Sequence, residues 1–128
     1  MKVLIDTHVF LWILVSPKKL SSRARSIIES GDNHVLLSTA SLWEIAIKEQ
    51  VGKLFLPNPP ERYLRRRIAE SDIEMLPVSA QHALRLFSLP VHHKDPFDRI
   101  IVAQSQEEDI AIITADAVMR RYEIEVIW

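Results

Sequence analysis

Four acidic side chains occupy positions where they can do chemistry together. Asp6 follows the apolar run Val3-Leu4-Ile5 at once, and Asp116 comes three residues after Ala111-Ile112-Ile113. Glu44 lies early in a helical pattern behind a third apolar run, Val35-Leu36-Leu37, and Asp98 lies in the first turn of a helix opening at Asp95-Pro96. Each has an ordinary structural explanation. Asp is a favoured helix cap, which suits Asp6 and Asp95, and Pro96 suits the first helical position. Asp98 and Asp116 fit first-turn acids stabilised by the helix dipole. Glu44 and Lys48 are spaced as an i,i+4 pair on a solvated face, worth a few tenths of a kcal/mol. Yet Trp43 and Ile45 flank Glu44, Phe97 and Ile100 lie beside Asp98, and Ile112-Ile113 precede Asp116, so these acids sit in apolar surroundings. Two carboxylates about 5 Å apart repel by about 3 kcal/mol at an effective dielectric near 20. A cluster of four needs either a cation or retained protons. Hard oxygen ligands suit Mg²⁺ or Mn²⁺, and such ions can activate water against a phosphodiester.

The elements that must carry these acids read as short apolar runs alternating with helical patterns. Strands are predicted at Val3–Ile5, Val35–Leu37, Glu74–Leu76, Ala111–Ile113 and Val126–Ile127. Helices are predicted over 7–15, 21–30 (with Gly31 just past its end), 40–51 (ending near Gly52), 60–71, 79–88, 95–108 and 116–121. Continuous apolar strands alternating with helices imply an α/β fold of three layers, with a central, mostly parallel sheet of about five strands covered on both faces. Ligands bind such sheets outside the carboxyl ends of the strands, where the strand order reverses. Neither an internal repeat nor a linker divides the chain, so one domain over 1–128 is expected.

Several short motifs together carry a resemblance. Asp6-Thr7-His8, Ser41-Leu42-Trp43-Glu44-Ile45, Asp95-Pro96-Phe97-Asp98-Arg99 with Ala103-Gln104, and Thr114-Ala115-Asp116 resemble the PIN-domain ribonucleases, most closely the VapC-type toxins of bacterial toxin–antitoxin pairs. The resemblance runs in order from Asp6 to Asp116. It implies a PIN-like fold and a metal-dependent endoribonuclease, cytoplasmic, often dimeric, and inhibited by a co-expressed antitoxin. It maps the family's acidic quartet onto Asp6, Glu44, Asp98 and Asp116. Asp6, Asp98 and Asp116 would then ligate Mg²⁺ or Mn²⁺, with Glu44 a ligand directly or through water. Attack by metal-activated water would leave a 5′-phosphate and a 3′-hydroxyl. Asp98 rather than Asp95 takes the family role, because the family's acid precedes the alanine matched by Ala103 by five residues. Asp95 remains a helix cap, with a part in holding metal-bound water left open. Thr7, Ser41 and Thr114 are hydroxyls beside the acids that either bind phosphate or hold a carboxylate. Arg99 either reaches a phosphate or pairs with a neighbouring acid. His8, His92 and His93 lack the spacing of histidine metal sites and read as loop or packing residues.

Composition removes rival chemistries. With no cysteine there is no disulfide, thiolate zinc site or cysteine nucleophile, and two glycines cannot build a P-loop or a dinucleotide fingerprint. No apolar run is long enough for a membrane span, and Asp6 and His8 interrupt the apolar start, which argues against a signal peptide. The net charge of −1 conceals an asymmetry. Residues 1–67 carry 11 basic and 6 acidic groups, and residues 68–128 carry 5 and 11. The basic half contains Arg62-Tyr63-Leu64-Arg65-Arg66-Arg67. On a helix Leu64 and Ile68 would face the core while Arg62, Arg65 and Arg66 project outward, as a solvated face or as a contact for RNA backbone. Phe10, Leu11, Trp12 and Leu14, with Ile27 and Ile28, exceed one core-facing stripe. A surplus there would serve a dimer interface or an amphipathic antitoxin segment. Two other readings stand beside the ribonuclease: a non-catalytic module of the same fold that binds RNA or protein, and a receiver-type phosphoacceptor. The second wants an acidic pair after the first strand and a late lysine, whereas Asp6 stands alone there and no lysine follows Lys94.

Overall fold

The computed structural model describes residues 1–128. Strands β1 (Lys2–Ile5), β2 (His34–Ser38), β3 (Glu74–Leu76), β4 (Ala111–Ile113) and β5 (Val126–Ile127) form one sheet in the order β3-β2-β1-β4-β5. All four pairings are parallel. The chain winds outward from β1 through β2 to β3, then returns to lay β4 on the other side of β1. The strand order therefore reverses between β1 and β4, and sheets of this kind bind ligands beyond the carboxyl ends of the strands at such a reversal. Asp6 and Thr114 are the first residues beyond β1 and β4, and the Asp6 N–H still donates to the Ile113 carbonyl at 3.2 Å.

Alternate strand residues enter two separate cores. Val3, Ile5, Val35, Leu37, Ala111, Ile113 and Ile127 pack on one face with Val9 and Phe10 of α1 (Thr7–Val15), Ala24 of α2 (Ser22–Glu29) and Tyr63 of α4 (Pro60–Glu70). Leu4, Leu36, Ile112 and Val126 pack on the other with Ile100–Ala103 of α6 (Pro96–Glu108), Met119 and Tyr122. Both faces of the sheet are thus sealed, which is why the strands read as unbroken apolar runs instead of alternating ones. Helix α3 (Thr39–Gln50) follows β2 without a loop and contributes Ala40 to one core and Ile45 to the other. No helix is long and apolar enough to cross a membrane.

The expected elements form, with instructive differences at their ends. Helix α5 (Ala80–Arg85) gives way to a 3₁₀ turn at Leu86–Ser88, and the segment expected as a helix over 116–121 is a 3₁₀ turn at Ala117–Arg121. An unexpected 3₁₀ turn occupies Pro17–Lys19. Gly52 ends α3 with φ of 76°, a conformation that glycine adopts without a Cβ clash. Gly31 plays no such part, since α2 ends at Glu29 on a Ser30 cap and Gly31 does not adopt positive φ. The apolar surplus of α1 and α2 is taken up in part by the core. Leu11, Trp12, Leu14, Ile27 and Ile28 are half-buried against the core, and Trp12 meets Trp128 with ring centroids 5.7 Å apart. Exposed apolar side chains lie elsewhere, with Trp43 65% and Phe87 91% exposed.

Candidate active site

The four acids reach one end of the sheet from four elements. Asp6, buried at 6% exposure, is the N-cap of α1 and accepts from the Val9 N–H at 2.8 Å through Oδ1. Its Oδ2 accepts from the Thr114 hydroxyl. Asp116 caps the 3₁₀ turn through Oδ1, which accepts from Val118 N–H at 2.9 Å, while its own N–H donates to Thr114 Oγ1 at 3.0 Å. Thr114 thereby joins the acid after β1 to the acid after β4, and is itself buried. Of the two roles open to this hydroxyl, the hydrogen bond it makes is to a carboxylate. Thr7 donates to Ser41 Oγ at 2.9 Å, and both hydroxyls are buried, so this pair ties the start of α1 to α3.

Glu44 is 4% exposed, which bears out the apolar surroundings expected for it over the alternative of a solvated i,i+4 pair. Its Oε2 accepts from Lys48 Nζ at 2.5 Å, and the ammonium also lies in the field of Asp95 and Asp98. The Lys48 amine is held above its usual pKa, first by the hydrogen bond to Glu44 and then by the charges of Glu44, Asp95 and Asp98, against the opposing effect of burial. Asp95 is the N-cap of α6, accepting from Phe97 N–H at 2.8 Å, with Pro96 next to it. That cap aims the first turn of α6, and Asp98 with it, at the other acids.

The electrostatics record the convergence. Asp98 is pushed up to about 6, first by burial and then by the charges of Asp95, Glu44 and Asp116, with His93 opposing them. Asp6 is also raised, mainly by burial and in small part by Asp116, although the Thr114 and Val9 hydrogen bonds resist. Carboxyls driven upward by one another mark a site short of positive charge. No three His, Asp or Glu side chains close into a ready-made ion cage, because Glu44 faces Lys48, Asp6 faces Thr114 and Asp116 faces His93. An all-oxygen set of this openness suits a small divalent cation that keeps several waters and takes only one or two carboxylates.

Two site residues were missed in the sequence. His93, read there as a loop or packing residue, does pack by stacking on Tyr122, 29 positions away, and also places Nε2 2.7 Å from Asp116 Oδ2. No local pattern announces that pairing. Lys48 was visible by its spacing from Glu44, but its proximity to Asp95 and Asp98 depends on how α3 packs against α6. Arg99 pairs with no neighbouring acid. Its guanidinium donates to the carbonyls of Pro90, Leu86 and Leu89 at 3.0–3.4 Å, fastening the segment before α6. His8 and His92 are exposed.

A family model described as the PIN domain matches residues 3–125, a span that takes in nearly the whole fold. The chain belongs to the PIN domain family. Among curated relatives, this PIN domain is 28% identical to Ribonuclease VapC22 of Mycobacterium tuberculosis over 94% of the chain and 91% of that protein. It is 39% identical to Ribonuclease VapC16 of the same organism over 62 residues, 48% of the chain and 43% of that protein, so this match spans less than half of VapC16. Among solved structures, the PIN domain superimposes on a chain of VapBC2 from Rickettsia felis, bound to a DNA fragment from its promoter. The TM-score is 0.76 at 13% identity, covering 99% of this chain and 98% of that one. DNA-bound VapBC from Salmonella typhimurium gives a TM-score of 0.70 at 17% identity, covering 99% and 97%. At those identities the structural likeness speaks for the fold.

Proposed function

We propose that this PIN domain is a cytoplasmic, divalent-metal-dependent endoribonuclease that acts as the toxin of a toxin–antitoxin pair. The observation that carries this is the meeting of Asp6, Glu44, Asp98 and Asp116 at the β1/β4 reversal, with Asp98 pushed up to about 6 by burial and its neighbours. The VapC ribonucleases among its relatives supply the reaction class. Asp6, Asp98 and Asp116 would hold Mg²⁺ or Mn²⁺, with Glu44 acting directly or through water. A bound cation would supply a water of lowered pKa and charge for the leaving oxygen of the RNA phosphodiester. The chain's own contribution is preorganisation. Thr114 holds Asp6 Oδ2, the Asp95 cap aims Asp98, and Lys48 pairs with Glu44 in its buried position.

The partners follow from surfaces. Arg62, Arg65 and Arg66 are exposed on α4, where Arg65 and Arg66 pair only with exposed Glu61 and Glu70. Such pairs are weak enough to be exchanged for RNA phosphates. Between α3 and α4 an apolar groove of about 660 Å³ is lined by Leu42, Ile45, Leu64, Ile68 and Met75, with Glu49, Glu61 and Arg65 also along it. An amphipathic segment of the antitoxin would fit its apolar floor and charged rim. A second groove of about 480 Å³, lined by Trp43, Val78, Leu86 and Phe97, is where a second copy would dock. Trp43→Glu then yields a monomer by light scattering, and an unchanged mass would remove that assignment.

The experiment for the activity uses purified wild-type, Asp6→Asn and Asp98→Asn proteins on total RNA with Mn²⁺ or with EDTA. Cleavage that requires metal, leaves 5′-phosphates and vanishes in both variants is expected. Full cleavage by Asp98→Asn would sink the proposal. RNA binding with no cleavage under any metal would return the protein to a binding-module role.

A further inference from the structure

His93 lies in the segment before α6, and its side chain is only 10% exposed. Its backbone N–H donates to Tyr122 Oη at 3.1 Å, its Nδ1 lies 2.9 Å from the same oxygen, and its Nε2 lies 2.7 Å from Asp116 Oδ2. The imidazole is within 7° of parallel to the Tyr122 ring, and Tyr122 is buried. These contacts fix the proton positions. The backbone N–H can only donate, so it occupies a lone pair of the phenolic oxygen. Tyr122 then has its one proton for Nδ1, and a neutral imidazole must carry its proton on Nε2, aimed at Asp116. The other tautomer would set a nitrogen lone pair against a carboxylate oxygen at 2.7 Å. A protonated ring also has hydrogen on Nε2.

We infer that His93, oriented by Tyr122, is a positioning residue that holds Asp116 in register with the acids of α6 for the divalent ion; this rests on the metal-site function proposed above. The topology makes the role specific. Asp98 rides on the first turn of α6 and Asp116 lies in the turn after β4, so the two acids come from separate segments. All three hydrogen bonds between residues 89–99 and residues 114–125 are made by His93. The other Asp116 oxygen is engaged by Val118, so the rotation of the carboxylate is set by one bond within its own turn and one across the site. Without the second, Oδ2 is free to turn away, and no other side chain bonds Asp116 to the α6 side. Hydrogen-bond partners of this kind commonly govern metal affinity by 10–100-fold.

The test is a Mn²⁺ titration by calorimetry on the full-length protein, with thermal unfolding in EDTA run alongside. His93→Leu should weaken Mn²⁺ binding by about 10–100-fold. His93→Gln, whose amide nitrogen can reach the same oxygen, should recover most of it. Tyr122→Phe keeps the ring and removes only the hydroxyl, and should fall between them; it also serves if His93→Leu does not fold. In wild-type protein, ¹⁵N spectra of the imidazole should show hydrogen on Nε2. A His93→Leu protein that loses thermal stability but binds Mn²⁺ like wild type overturns the inference and leaves the metal site standing, as does an Nδ1–H tautomer. Wild-type protein that binds no Mn²⁺ overturns both.

Discussion

Asp98 stores a penalty in the metal-free protein that a single isosteric change should release. Its carboxyl rises from 3.8 to about 6 because burial, Asp95, Glu44 and Asp116 all oppose its ionisation. A carboxyl raised on folding behaves oppositely to the usual ion-paired Asp. Below pH 3.8 it is neutral in both folded and unfolded chains and costs nothing. As pH climbs toward 6 the unfolded chain ionises first, so stability is lost across that window, and above it the loss is complete. The full rise is worth about 3 kcal/mol. Asp98 is only half-buried, and solvent screening brings a realistic figure to about 1.5 kcal/mol. Asp98→Asn keeps the shape and cannot ionise. In EDTA it should match wild type at pH 4 and exceed it by about 1.5 kcal/mol at pH 7.5, or about 5 °C in Tm for a chain of this size. With Mn²⁺ at a hundred times its Kd the order should reverse, because wild type alone gains about 2.7 kcal/mol from binding. Urea unfolding at three pH values, with and without metal, reads all of this. An Asp98→Asn protein no more stable than wild type at pH 7.5 in EDTA would refute the crowded-acid account of the site.

The neighbouring residues make related predictions. Thr114→Val removes the donor to Asp6 and the acceptor for the Asp116 N–H, at a cost of about 2 kcal/mol. Its hydrogen bond favours ionised Asp6, so the loss in EDTA should grow as pH rises through the raised Asp6 pKa, and a loss independent of pH would argue against that role. Lys48→Met leaves Glu44 buried without its cation. It should cost about 2 kcal/mol at pH 7.5, below the full value for a buried pair because the Lys48 side chain is 35% exposed. Mn²⁺ should restore more stability to Lys48→Met than to wild type, measured by thermal shift. Asp95→Ala should cost about 1 kcal/mol by removing the α6 cap, and a variant that lost Mn²⁺ binding outright with an intact fold would show Asp95 to be more than a cap.

Most of the fold was legible because a parallel sheet buried on both faces writes itself as unbroken β-branched runs, and each helix carries its own period. Local cues failed where length or packing decides. Ala117–Arg121 has the apolar and capping residues of a helix, but five residues cannot repay an α-helical nucleus, so they settle as a 3₁₀ turn. Gly31 looked like a helix cap, but the chain turns instead through Ser30. Arg99 carried a functional expectation from its place beside Asp98, yet a helix rotates adjacent positions by about 100°, and its guanidinium faces the carbonyls of 86–90. The acids were legible as a set because four of them fall where a doubly wound sheet gathers its loops. His93, by contrast, owes its place to a ring 29 residues away and leaves no periodic trace.

The sequence posed Asp6 as a helix cap and Asp116 as a first-turn acid, each beside a reading as a site ligand, and in the structure both cap with one oxygen and turn the other to a second partner. A carboxylate has two oxygens. Asp6 gives Oδ1 to the Val9 N–H and keeps Oδ2 for Thr114; Asp116 gives Oδ1 to Val118 and keeps Oδ2 for His93. The capping bond fixes the plane of the carboxylate on a rigid element, which leaves its other oxygen with little freedom. Strand ends that begin helices therefore supply anchored acids at no separate cost in side-chain order, and the reversal between β1 and β4 brings two such ends side by side. What remains adjustable is the partner of the second oxygen. Thr114 is buried and joins two strand ends, whereas His93 reaches Asp116 from a separate segment, the one before α6. Of the two partners, His93 should therefore have the larger influence on metal affinity and Thr114 the larger influence on folding stability. A comparison of Thr114→Val with His93→Gln and His93→Leu in both measurements would expose the opposite ranking.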